Sequence, residues 1–329
     1  MRNAFVRRRL LLSAALLTAP ALLSRGKPVS AAAAGAGAWQ PQRPIQIIVG
    51  FAPGGASDIV ARGIAQAAQD ILPAGVVVVN KPGAAGVLAA QQVARAPADG
   101  TQIVLSGGSE TTSVPHYREV PYRPFEDFQH FRLLARYPLF LCVRADSPYR
   151  SMSALLAEAK ARPGALAHGS SGVGSLYHSA FVVLNQRAGT EMLHVPYTGG
   201  GPTLLALAAG EISAAFGSPD EFKGLVEAGT LRPLAVASRE RIPGFEAVPT
   251  MIEEGLDVFI ENMKGLSAPA GTPKPILDGL RSGFGAALET ATWRRFAESS
   301  ATVTAAADAD YTRDLREMSD TIAAALRAA

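Results

Sequence analysis

The chain has 329 residues, 48% of them hydrophobic and 18% charged, with a formal net charge of +3. That length suits one large or two medium domains whose core needs no disulfide staples, and the single cysteine excludes an intramolecular disulfide. Six of the 31 basic residues precede residue 34 and none of the 28 acidic residues does, so the remainder carries −3; it holds no basic cluster, which argues against a nucleic-acid partner.

Arg2 and Arg7 to Arg9 form a basic start, Leu10 to Leu23 an apolar run, and Val29-Ser30-Ala31-Ala32-Ala33 a small-residue end. This three-part pattern predicts a cleaved secretory signal peptide over residues 1–33 and a mature protein in the periplasm. The apolar run is shorter than the ~20 residues a membrane span needs. No cysteine adjoins it, so no lipid-modified N-terminus is expected.

Pro44 to Val49 is almost wholly apolar, as in a parallel strand covered on both faces. A helix is predicted over Ser57 to Gln69, where Ile59, Val60, Ile64 and Ala68 recur at helical spacing, then a strand over Gly75 to Val79. A helix over Ala84 to Ala94 and a strand over Thr101 to Ser106 follow. This β-α-β-α-β rhythm predicts a doubly wound sheet with ligand loops at the carboxyl ends of its strands. Residues 112–137 read as irregular, punctuated by Pro115, Pro121 and Pro124.

The rhythm then restarts. Leu139 to Val143 reads as a strand that buries Cys142, and Ser151 caps a helix that closes before Pro163-Gly164. Strands are predicted over Leu166 to Gly169, Met192 to Val195, Ile212 to Phe216, Arg232 to Ala237 and 257–267. Helices are predicted over 174–187, Pro202 to Ala209, 274–289 and 309–327. Two similar α/β lobes fit this better than one long sheet, and a cleft between two lobes is a common place for a small-molecule pocket.

Four turns rich in Gly, Ser and Thr join these strands and helices: Ala52 to Asp58, Ser106 to Ser109, Gly169 to Ser175, and Tyr197 to Gly201. Such turns expose backbone N–H groups beside helix N-termini, where an anion is held without a cationic side chain. Gly169-x-x-Gly172-x-Gly174 is neither the dinucleotide fingerprint nor a phosphate loop, so nucleotide binding is not expected. Ser171, His178 and Asp220 invite a hydrolase reading, yet the G-x-S-x-G elbow is missing and His178 lies two turns into the following helix. That histidine reads instead as holding a loop carbonyl or packing between lobes. The five histidines show no metal-ligand spacing, so no metal, cofactor or catalytic residue is expected. Asp58 reads either as an N-cap or as an acceptor for a bound amine, hydroxyl or water.

These same residues carry a resemblance. Phe51-Ala52-Pro53-Gly54-Gly55-x-x-Asp58, Val79-Asn80-Lys81-Pro82-Gly83, Gly169-Ser170-Ser171-Gly172-x-Gly174-Ser175-x-x-His178, His194-Val195-Pro196-Tyr197-x-Gly199-Gly200 and Ala268-Pro269-Ala270-Gly271-Thr272-Pro273 stand in the order of the Bug/TctC family. Its members are solute receptors of tripartite tricarboxylate transporters. The resemblance implies an α/β two-domain periplasmic binding protein of type II, with Venus-flytrap architecture. It divides the chain into a first domain, 40–142 plus 263–329, and a second, 143–262. It implies that a small organic anion is held largely by backbone amides and ordered water, and that a monomer presents it to membrane permease subunits.

The implied ligand-binding residues are Phe51, Ala52, Pro53, Gly54, Gly55, Ser57 and Asp58 from the first domain, with Ser106 and Glu110. From the second come Ser170, Ser171, Gly172, Val173, Gly174 and Ser175, then Tyr197, Thr198, Gly199 and Gly200, with Phe216 and Asp220 nearby. Three departures from the family pattern bear on the cargo. Gly107-Gly108-Ser109-Glu110-Thr111 replaces a Thr-His-Ala-x-Asn run, so Glu110 either meets the ligand or faces solvent at the loop rim. Thr198 replaces a lysine. Met263-Lys264 replaces Trp-Phe and brings a cation toward the ligand. A mono- or dicarboxylate, an aromatic acid or an amino-acid-like solute fits as well as a tricarboxylate. Two other readings stay open at this point: a receptor that reports to a sensor protein, and an exported serine hydrolase built on Ser171.

Overall fold

The computed structural model describes residues 39–300, 302–307 and 309–328; the expected signal peptide, residues 1–33, lies outside them. The first half opens with β1 (Ile45–Val49), α1 (Ala56–Ala67) and β2 (Val76–Asn80). A 3-10 turn at Ala84–Gly86 leads into α2 (Val87–Ala94) and β3 (Gln102–Ser106). Two single-turn helices, α3 (Ser109–Thr112) and α4 (Val114–Tyr117), precede β4 (Phe128–Pro138). The second half runs through β5 (Phe140–Arg144), α5 (Met152–Ala161), β6 (Ala167–Ser170) and α6 (Leu176–Ala188). It continues with β7 (Leu193–Pro196), α7 (Gly200–Ala209), β8 (Ala214–Gly217), α8 (Pro219–Glu227) and β9 (Leu231–Val236). The chain then returns through β10 (Glu261–Pro269), α9 (Lys274–Leu288), α10 (Ala291–Ser299), β11 (Val303–Thr304) and α11 (Tyr311–Ala328).

Two sheets result, ordered β11-β4-β10-β3-β1-β2 and β7-β6-β8-β5-β9. Each has a parallel half, where β1 pairs with β2 and β3, and β6 with β7 and β8. Each also has an antiparallel half, built by β10 against β3 and β4, and by β5 against β8 and β9. The parallel halves need helical crossovers, and these bring the Gly-rich turns to the carboxyl ends of β1 and β6.

Both faces of the central strands are covered by apolar side chains. Ile45, Ile47 and Val49 pack with Phe284 and Trp293 on one face of the first sheet, while Ile48 packs with Val87 and Ala90 on the other. In the second sheet Phe216 packs with Phe181 and Leu184, and Phe140 with Leu207 and Phe222. Cys142 is fully buried in β5, as its apolar neighbours predict. Ser151 caps α5, its Oγ accepting the Ala154 N–H at 3.1 Å.

The chain crosses between the sheets twice, at Leu139 and between Ala237 and Ile260. The two crossings are stitched side by side, since Ala237 N–H donates to Leu139 O at 2.8 Å and Ile260 N–H to Ala237 O at 3.1 Å. α11 follows the first sheet in sequence, yet it packs against α6, and Leu315, Met318 and Ile322 join the apolar cluster around Phe181.

Several elements depart from the sequence expectation, among them the single-turn α3 and α4 and the two-residue β11. β4 fills the end of the stretch read as irregular, from Phe128 on; register shifts near Lys264/Gly265 and Leu266/Ser267 break the two-residue alternation that would have revealed it. α8 and α10 were not expected, each being only nine residues long. No helix among the described residues is long and apolar enough to cross a membrane.

Candidate functional site

The first turn is shaped from behind. Gly54 takes φ +81°, a conformation that favours glycine, and its N–H donates to Asp58 Oδ2 at 2.8 Å. Arg62 Nε donates to the same oxygen at 2.9 Å, and Asn80 Nδ2 to Oδ1 at 2.8 Å and to Phe51 O at 3.1 Å. Asp58 is therefore no N-cap: Gly55 holds that position, and its lack of a side chain leaves the cap bond unmade. The Asp58 carboxylate is 2% exposed, and its acceptor sites point into this bracing rather than toward a ligand. Burial alone would raise its pKa, but the bonds from Arg62, Gly54 and Asn80 outweigh that and hold it below the usual carboxylate range.

The second-lobe turn is braced without charge. Ser170 Oγ lies 2.7 Å from His194 Nε2 and donates to Gly172 O at 3.0 Å. Gly172 takes φ +115°. His178 Nδ1 accepts the Gly174 N–H at 3.2 Å, so the histidine holds a loop amide, not the expected carbonyl. His178 stacks on His194 with ring centroids 3.9 Å apart and meets Tyr117 of the first half, tilted, at 5.1 Å. Burial depresses the pKa of His178 to about 4; burial and the neighbouring rings depress that of His168, behind it, to about 3. Serine and histidine do meet here, but the serine is the fully buried Ser170, and His178 is committed to the loop.

Between these turns lies a cavity of about 710 Å³. Phe51, Ala52, Pro53, Gly54, Gly55 and Ser57 line it from the first lobe. Ser171, Ser175, Thr198, Gly199 and Gly200 line it from the second. A smaller space of about 500 Å³ adjoins it, sharing Gly54 to Ala56, Gly201 and Glu221, and reaching Asp220 and Tyr137.

α1 and α7 both begin at this cavity, and neither Gly55 nor Gly199 supplies a side-chain cap. The first N–H groups of a helix have no intrahelical partner and carry the positive end of its dipole. α6 also starts here, but its end is partly satisfied: Ser175 Oγ accepts the His178 N–H, and Ser109 Oγ the Leu176 N–H at 3.1 Å. Two uncapped helix ends, one from each lobe, thus line one space suited to an anion.

Several implied ligand residues sit behind this wall. Ser106 Oγ is buried against Ser267 Oγ at 2.5 Å and Tyr311 OH at 3.0 Å. Glu110 is 3% exposed, so it does not face solvent; its Oε1 accepts from Gly107 N–H, Gly108 N–H and Thr111 Oγ1 and shapes the turn before α3. Tyr197 turns away, its OH donating to Glu211 at 3.4 Å, and Phe216 is core. Val173 is exposed, and neither it nor Gly172 and Gly174 lines the cavity.

Other cavity groups were not among the implied ligand residues. Asn262 and Lys264 reach it from β10, Tyr177 from α6 and Glu221 from α8. Tyr177 OH donates to Glu221 Oε2. Burial, and for Glu221 also the charge of Asp220, pushes the pKa values of Asp220 and Glu221 up. Asp220 directly follows Pro219 in the first turn of α8, and its Oδ1 has no hydrogen-bond partner among the described residues.

Residues 60–324 match the tripartite tricarboxylate transporter family receptor, TctC. The chain belongs to this family. BugT of Bordetella pertussis is 35% identical to the TctC chain described here over 253 residues, 76% of this chain and 78% of BugT. MatC of Rhodopseudomonas palustris, solved with bound malate, superposes with a TM-score of 0.77 at 27% identity, over 87% of this chain and 99% of MatC. Another R. palustris protein, solved with adipate, gives 0.78 at 29% identity, over 88% and 97%. TctC proteins are periplasmic solute receptors, not enzymes, and the two-domain periplasmic binding fold is theirs. Among the described residues no group of histidine, cysteine and carboxylate side chains is placed to hold a metal ion.

Proposed function

We propose that this TctC protein binds a small organic acid in the periplasm and delivers it to the membrane subunits of a tripartite tricarboxylate-type transporter. The observation that carries this is the pair of uncapped helix ends, α1 from one lobe and α7 from the other, lining a single cavity. A carboxylate there takes N–H donors from both lobes, so its binding favours the closed arrangement over an open one. Water carries much of the remaining pairing, which lets side chains vary around a constant backbone grip. Malate and adipate, seen in two relatives, set the class of solute to try first. The N-terminal 33 residues act as the export signal and are removed.

Native mass spectrometry of protein purified without denaturation, then a thermal-shift screen of organic acids, tests this. A retained anion of organic-acid mass is expected, and a ligand at 100 times its Kd adds about 2.7 kcal/mol of stability. Stabilisation by uncharged sugars or cations alone would reject the carboxylate reading.

A further inference from the structure

We propose that Lys264 is a specificity-determining residue whose ammonium pairs directly with the ligand's carboxylate, adding a side-chain ion pair to the backbone grip; this rests on the organic-acid reading above. Lys264 is 6% exposed, lies on β10 and lines the 710 Å³ cavity. A register shift between Lys264 and Gly265 marks the strand at this point, and such irregularities re-aim side chains beside binding sites.

An ammonium group has three donors, and only one is used here: Nζ donates to Ser57 Oγ at 2.9 Å, in the first turn of α1. The Phe51 ring lies 5.7 Å away. No carboxylate among the described residues forms an ion pair with it. The acids that face it are Glu110, Asp220 and Glu221, and their charges only partly offset the burial that lowers its pKa. Glu110 is the nearest in kind, yet its Oε1 is spent on Gly107, Gly108 and Thr111. A Cβ placed on Gly108 would meet Glu110 Oε2 at 3.3 Å and Lys264 Nζ at 3.9 Å, so the two groups approach that glycine without pairing.

A buried cation with so few partners is unfavourable in the empty protein, and the deficit is made good when an anion arrives. This separates an anchor from a strut. A lysine that merely tied β10 to α1 through Ser57 would stabilise the empty protein, whereas an anchor destabilises it and repays on binding.

The test uses the full mature chain and its Lys264→Met and Lys264→Arg variants, titrated calorimetrically with malate, adipate, hexanoate and benzoate and with the amides of the same acids. For the acid that binds wild type best, Lys264→Met is expected to weaken affinity at least about 30-fold. It should also shrink the preference for acid over amide and leave the ligand-free melting temperature at or above that of wild type. Lys264→Arg should recover most of the affinity. Equal affinity in Lys264→Met, or a ligand-free melting temperature lowered by several degrees with an unchanged acid-to-amide preference, overturns the anchor role alone. A wild-type protein that binds none of these acids overturns both this proposal and the reading on which it rests.

Discussion

The two jaws of the cleft reach the same result by opposite chemistry. The first-lobe turn is held by an ionised carboxylate, Asp58, drawing on Gly54, Arg62 and Asn80. The second-lobe turn is held by neutral groups, Ser170 with His194 and His178 with Gly174. In both, side chains are spent on fixing the loop, and backbone N–H groups at the start of α1 and α7 are left without a side-chain cap. The charged brace is more brittle, because removing its one carboxylate takes the acceptor from three donors at once. The neutral brace divides its bonds between Ser170 and His178, so no single removal undoes all of it.

Asp58→Ala should therefore have the largest effect. It removes the acceptor of the Gly54 N–H and one of the two acceptors of the Asn80 amide, both bonds part-buried, at a cost of about 2 kcal/mol, with the half-exposed Arg62 ion pair contributing little. Urea unfolding should show that loss, and organic-acid titration at least about tenfold weaker binding as the turn loosens. Unchanged stability and affinity would mean the carboxylate does not brace the turn.

Ser170→Ala comes next, with a loss of about 1 kcal/mol and a roughly threefold weaker affinity in the same two measurements. A loss equal to that of Asp58→Ala would erase the contrast between the jaws.

At neutral pH the smallest change belongs to His178→Asn, which keeps an acceptor near the Nδ1 position. Burial holds His168 and His178 at about 3 and about 4, below their ordinary 6.5. The unfolded chain then binds more protons as pH falls, so this contribution to stability is complete above pH 6.5 and declines toward pH 4. Asp220 and Glu221, with raised pKa values, act in the opposite sense over part of that range. The difference between variant and wild type isolates the histidine: the variant's stability should fall less steeply, by up to about 1.4 kcal/mol per pH unit. Parallel curves at pH 7, 6 and 5 would show that His178 is not held neutral.

Much of this was legible in the amino-acid order. A largely apolar run into a Gly-rich turn located β1, as expected of a parallel strand covered on both faces, whereas the short β6 was located by the Gly-rich turn that follows it. β4 escaped notice because its pairing with β10 is broken by register shifts, which hide the alternation. The jaws themselves were visible as Phe51 to Ser57 and Thr198 to Gly200. The direction of side chains within them was not: Asp58, Glu110 and Tyr197 stand in or beside these turns, but their polar atoms are bonded within the protein and they do not line the cavity, since one step along a turn exchanges cavity for core. Tyr177 and Glu221 were missed because their pairing joins two helices distant in sequence.

α11 bears on how such a molecule would breathe. Leu315, Met318 and Ile322 lie against the second lobe's core, although the helix follows the first sheet in the chain. Parting the halves on that side would wet this surface at about 25 cal/mol for each Å² of it. The helix thus ties the second lobe's core to the first lobe's chain along one margin.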